Sequence, residues 1–230
     1  MHDARIVASV AHAHRGTADA HVCGMTAYPV RYFVERPARF TRLQLLVRVV
    51  AFCALGVLGL TFGTVFLFGY LALPVFAASR LSSGRDPAAY LAHDGPRVLK
   101  ALGWFAAFSA WAALIAEQLP GRSASEVVAI EIDPGAKPDV RIAILRVLSG
   151  LPSALVLAFL RAIGVLVWLW AALTILVSEK VGDHAYAYLV GLQRWAVRLL
   201  AYQASLVDAY PPFSFGEAPA AVLPHARATT

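Results

Sequence analysis

Few side chains in this chain of 230 residues are spaced to do chemistry. The first is Arg161, the one charged residue between Val147 and Val177. A guanidinium held in hydrocarbon costs about 2.5–3.5 kcal/mol on insertion scales, so it calls for a partner or a water-filled cavity. The plainer reading is an arginine that snorkels from one end of the run. Arg194 and Arg198, four apart on one helix face with Trp195 between them, could clamp a phosphate of an anionic lipid headgroup or meet a partner protein. Arg48 and Arg146, each among aliphatic residues, are candidates for the same binding. An ordinary basic interfacial face is the simpler use of all of these. Glu179, Lys180, Asp183 and His184 bring carboxylates and an imidazole into one loop, but a solvated loop accounts for them without acid–base work. His2, His12, His14 and His21 fall in a mixed polar segment where nothing holds four ligands in place, so no metal site is expected. There is no nucleophile–base pair, zinc spacing, glycine-rich phosphate loop or haem motif. The chain therefore reads as a non-enzyme that needs no cofactor.

The elements that must position these residues are largely apolar. Hydrophobic residues make up 59% of the chain, charged residues 15%, and mean hydropathy is +0.64. About a quarter charged is usual for a soluble domain. From Val49 to Ala78 there is no Asp, Glu, Lys or Arg. That run and 147–177 both exceed the roughly 20 residues that cross a bilayer's hydrocarbon. The net charge of +6 comes from basic residues flanking the apolar runs, the pattern of headgroup contact rather than of nucleic-acid binding. Cys23 and Cys53 form no disulfide framework.

Residues 1–27 read as a disordered tail without a signal peptide's apolar core, and 217–230 as a flexible C-terminal tail. Between them one order of elements occurs twice, as repeats over 28–120 and 121–216. Val30, Tyr32 and Val34 alternate with Arg31, Phe33 and Glu35, which predicts a short strand. A basic amphipathic helix with Arg39, Arg42 and Arg48 follows, then the first long span, a Gly84 loop, and a second apolar segment from Val98 to Leu119. In the second half Val128, Ile130 and Ile132 predict a strand, Arg141 and Arg146 sit in a basic helix, and a long span, a Gly182 loop and a helix over 185–207 follow. The halves superpose without gaps at an offset of 98 residues, which pairs Arg48 with Arg146, Gly84 with Gly182, Tyr90 with Tyr188, Lys100 with Arg198 and Gly63 with Arg161.

The expected fold is therefore an all-α integral membrane protein with short β-strands at the membrane surface, built from a duplicated strand–basic helix–span–loop–helix unit with four transmembrane helices. An alternative keeps two spans plus two interfacial helices, the last of them carrying Arg194 and Arg198. The bias of Arg and Lys toward the strand side predicts cytoplasmic termini.

Several of these residues also resemble a known pattern. Tyr28-Pro29-Val30, Arg42 and Arg48, Pro152, Gly182, Arg194-Trp195 with Arg198, and Asp208-Ala209-Tyr210-Pro211-Pro212-Phe213-Ser214 are similar to the bacterial membrane proteins grouped as domain of unknown function 4389. The resemblance covers roughly residues 28–216. In the first half Gln118-Leu119-Pro120 stands where the closing motif is expected, and Trp104 stands for Tyr202. The resemblance implies a structural role for Asp208, Tyr210, Pro211, Pro212 and Phe213, a bacterial inner-membrane location, and no established activity.

The functional expectation is a multi-pass accessory or scaffold module that binds anionic lipid or a membrane-protein partner. The alternative is a small homo-oligomeric transporter, channel or lipid-moving protein.

Overall fold

A computed structural model describes residues 28–59, 61–83, 86–133 and 139–216. The two expected tails, the four N-terminal histidines and Gly84 lie outside the described residues.

Both expected strands form. β1 (Val30–Val34) and β2 (Val128–Ile132) begin 98 residues apart and pair antiparallel, from Val30 opposite Ile132 to Val34 opposite Val128. Period-two alternation buries Val30 and Tyr32 and leaves Arg31 outward, 3.6 Å from Glu131 on the neighbouring strand. Among the described residues the sheet has only these two strands, so both outer edges are open.

The first apolar run is not one helix. α1 (Arg42–Val57) is capped by Thr41, whose hydroxyl accepts from Gln44 N at 3.3 Å. The chain then breaks at Gly59, whose φ of +69° suits a residue without a Cβ. Thr61 caps α2 (Phe62–Ser82). After α2 come α3 (Pro87–His93) and α4 (Gly95–Ala112). The second run does stay whole: α5 (Val140–Ser178) is 39 residues long, about 58 Å at 1.5 Å per residue. It is capped by Asp139 and ends at Glu179 in the left-handed region. α6 (Asp183–Gln203) follows.

These elements stack in three layers. α1 and α2 lie end to end against α5 and antiparallel to it, with Phe40 N donating to Glu179 O at 2.8 Å, the Phe52 and Trp168 rings 5.5 Å apart, and Tyr70 Oη donating to Val147 O at 2.5 Å. α6 runs back along α5, with contacts from Tyr188 to Leu160 O, Trp195 to Ser153 and Gln203 to Arg146 O. α4 flanks α6, where Gln193 donates to Ser109. The sheet covers the far side of α6: Tyr28 lies under Arg198 and Arg36 over Tyr186, 5.4 and 4.7 Å from guanidinium to ring.

Burial follows the layers. α5 buries a narrow stripe of Ala143, Arg146, Gly150, Ser153, Leu157, Gly164, Ala171 and Ile175, spaced in threes, fours and sevens as in a coiled-coil seam. Around the rest of α5, Leu148, Leu155, Phe159, Leu166, Trp170 and Val177 are exposed, as are Leu46 and Val50 on α1 and Leu67, Phe68 and Val75 on α2. α6, in contrast, is buried at every residue from Leu189 to Gln203.

Among the described residues two helices are long and apolar enough to cross a membrane, Phe62–Ser82 and Val140–Ser178. The last helix is buried along most of its length, because α5, α4 and the sheet surround it.

Candidate functional site: two buried arginine clamps

α4 and α6 end in the same way. Ile115 N bonds to Ala110 O and Leu114 N to Trp111 O; Leu206 N bonds to Ala201 O and Ser205 N to Tyr202 O. Each is the paired-bond stop in which the residue after the cap turns left-handed, here Leu114 at φ 60° and Ser205 at φ 56° instead of the usual glycine. Such an end leaves carbonyls with partial negative charge pointing out of the helix.

A buried arginine meets each end. Arg48, fully buried on α1, donates through Nη2 to Ala116 O at 2.7 Å and Glu117 O at 2.9 Å, and lies 3.6 Å from the Glu117 carboxylate. Its guanidinium stands over Trp111 at 5.4 Å and Phe40 at 5.7 Å. Arg146, 2% exposed on α5, donates to Tyr202 O at 2.7 Å, to Val207 O, and to Asp208 Oδ1 at 2.5 Å, with its guanidinium 4.6 Å over Tyr202. Burial away from water pushes the Arg48 guanidinium down to about 10, and Glu117 beside it opposes that fall. It stays charged at neutral pH. Each clamp ties the start of one helix, α1 or α5, to the far end of a later one, α4 or α6.

The second half adds a strap. Beyond Asp208 the chain folds back along α6. Tyr210 meets Tyr202 edge to face, as Phe213 does Trp195 and Phe215 does both Trp195 and Tyr188. Arg194 donates to Phe215 O at 2.6 Å and Arg198 to Gly216 O at 3.1 Å. Gly191 makes room, because a Cβ there would lie 2.6 Å from the Phe215 ring. Burial among aromatic residues raises the Tyr28 and Tyr32 phenols far above their ordinary value, keeping them neutral.

Arg48, Arg146, Arg194, Trp195 and Arg198, expected to face headgroups, thus all point inward and hold this chain's own backbone or rings. Of the closing motif, Asp208 pairs with Arg146, Pro211 is buried, and Tyr210 and Phe213 are partly exposed. Glu179 and Asp183 pair with Arg42 and Arg36, at 3.8 and 2.7 Å, and no group of three or more His, Cys, Asp or Glu among the described residues could hold a metal.

Arg161 stands apart. It is half-buried beside a cavity between α1, α2, α4, α5 and α6, and its guanidinium stacks 4.7 Å over Phe66.

Comparison with known families decides where this geometry belongs. The model described as Domain of unknown function (DUF4389) matches residues 141–214. This second half of the chain is similar to the DUF4389 family. Its matched stretch runs from Arg141 through the Arg146 clamp and the Arg194–Arg198 face to the strap at Ser214. Nothing among curated proteins or solved structures matches the chain.

Sequence reasoning missed Trp111 and Glu117, because the offset of 98 residues holds only for the strands and the clamp arginines. At the helix ends it is 91: Trp111 answers to Tyr202, Leu114 to Ser205, and Glu117-Gln118-Leu119-Pro120 to Asp208-Ala209-Tyr210-Pro211. Trp104, set against Tyr202 above, answers instead to Trp195. The difference of seven residues equals the length of α3. The spacing acid-x-x-Pro in both halves was the available signal.

Proposed function

We propose that this protein is a non-enzymatic membrane module that rests on lipid through one wall and presents the other to a membrane-protein partner or to anionic headgroups. The observation that carries the reading is the division of its surface. The outer faces of α1, α2 and α5 are mostly apolar, while the sheet side carries Arg31, Glu131, Arg36 and Asp183 in exposed pairs. Soluble monomers rarely expose contiguous apolar patches beyond a few hundred Å².

The same division bears on topology. The exposed apolar residues of α5 extend from Ile142 to Val177, about 52 Å of helix against a hydrocarbon core of about 30 Å. The sheet lies along α6, which lies along α5. Upright helices would carry two open strand edges and the Arg31–Glu131 pair to the depth of the hydrocarbon, where neither is tolerated. We therefore favour α1, α2 and α5 lying along one leaflet over four crossing helices, with the sheet on the aqueous side. Tyr28 and Gly216 both reach Arg198, which supports termini on a single face of a bacterial inner membrane.

A duplicated unit accounts for the rest. The central strand pair, Tyr32 opposite Ile130, is itself 98 residues apart, as expected for a local two-fold axis through the sheet. Such an axis, perpendicular to strands and helices alike, would stand along the membrane normal, as in parallel internal repeats.

Single cysteines at His93 and Lys180, near opposite ends of the helices, test the arrangement in oriented vesicles after Cys23 and Cys53 are replaced. An impermeant thiol reagent should label both from the same side. Labelling from opposite sides would overturn the in-plane arrangement, and a folded monomer in plain buffer would overturn membrane association altogether. The alternative, an oligomeric transporter or channel, predicts a stable closed homo-oligomer in native mass spectrometry of the detergent-extracted protein.

A further inference from the structure

The break between α1 and α2 leaves a cavity of about 760 Å³ beneath it, within the usual range for a small-molecule site. Its walls are apolar: Phe52 and Phe62 on the α1–α2 side, Val165, Trp168 and Leu169 on α5, and Leu192 on α6. Arg161 is its one charged lining residue. Among the described residues no carboxylate pairs with this guanidinium and no carbonyl accepts from it; Phe66 stacks on it and leaves its hydrogen-bond donors unused. The fully buried Arg48 and Arg146 solve this problem internally, with Glu117 and Asp208.

A cation in apolar surroundings with no internal anion requires an external one, and the walls select an anion that carries hydrocarbon. We infer that this cavity binds an anionic phospholipid of the bilayer, with one acyl chain in the groove under Gly63 and its phosphate on Arg161. The inference rests on the membrane reading above. The phosphate suits a guanidinium fork, which can donate two parallel hydrogen bonds. Gly63 lies at the mouth, and a Cβ there would meet only Thr61 Oγ1, at 3.7 Å, so a larger side chain at this position would fill the cavity without displacing backbone.

Native mass spectrometry on the full chain in a neutral detergent tests this, with phosphatidylglycerol, phosphatidylcholine, oleate and inorganic phosphate as probes. The expected result is one retained phosphatidylglycerol, preferred over phosphatidylcholine by about ten-fold, with the preference lost in Arg161→Gln and largely kept in Arg161→Lys. Gly63→Leu should lose the lipid although Arg161 remains, and it decides the matter if Arg161→Gln does not fold. Equal retention of the two phospholipids, unchanged binding in both variants, retention of oleate alone, or an adduct with inorganic phosphate alone would each overturn the inference. A protein that stays membrane-bound without any anionic preference would sink this site while leaving the membrane module intact.

Discussion

Arg48 and Arg146 occupy matching places, yet they are held differently. Both follow a strand by the same interval, both are buried, and both meet an αL-terminated helix end. Arg146 has a carboxylate at 2.5 Å and a tyrosine ring at 4.6 Å; for Arg48 the corresponding distances are 3.6 Å to Glu117 and 5.4 Å to Trp111. Past Asp208 the chain returns over α6 as a strap, whereas past Glu117 it leaves toward β2. The shared part, a guanidinium on helix-end carbonyls, satisfies acceptors that a buried helix end leaves without partners. The unshared part, the aromatic strap on Arg194 and Arg198, falls inside the stretch that the family match covers.

The comparison can be tested from its stronger side. Arg146→Met should cost about 3–5 kcal/mol, since it leaves two buried carbonyls unpaired and removes an ion pair to Asp208, and thermal unfolding in detergent reads it directly. Arg48→Met should cost less, about 2–3 kcal/mol, because its carboxylate contact is longer while both arginines hold two main-chain carbonyls. Equal losses would mean that the carboxylate distance does not distinguish the two. Gly191→Ala pushes a methyl against the Phe215 ring and should cost about 1–3 kcal/mol. Its signature is a strap released for proteolysis near Phe213 while both clamps hold, and an unfolding loss without strap release would contradict it. Tyr202→Phe removes only the bond to Ser149 at 2.9 Å and keeps the ring under Arg146, so about 1 kcal/mol is expected from the same melts.

Much of the fold could be read from local pattern. Val30–Val34 and Val128–Ile132 declared themselves by alternation, and the arginines 98 residues apart by their place in amphipathic helices. The seven-residue shift was hidden because apolar helices match one another at many offsets, so only the hydrogen-bonded ends of α4 and α6 reveal the true alignment. The split at Gly59 was half visible: Gly56, Gly59 and Gly63 allow a break, but glycine also permits close packing, and sequence does not say which use is made.

The amino-acid sequence alone determined that two long segments need an apolar environment, since composition over 20 or more residues outweighs any single contact. It also determined where the strands form, because alternation is a property of neighbours along the chain. Only the tertiary structure decided which way Arg48, Arg146, Arg194 and Arg198 point. A long basic side chain on an amphipathic helix can reach outward to a headgroup or inward to a carbonyl, and the choice depends on what stands opposite. Here that was a helix end about 60 to 70 residues away or a strap returning over α6, neither of which is encoded near the arginine it receives.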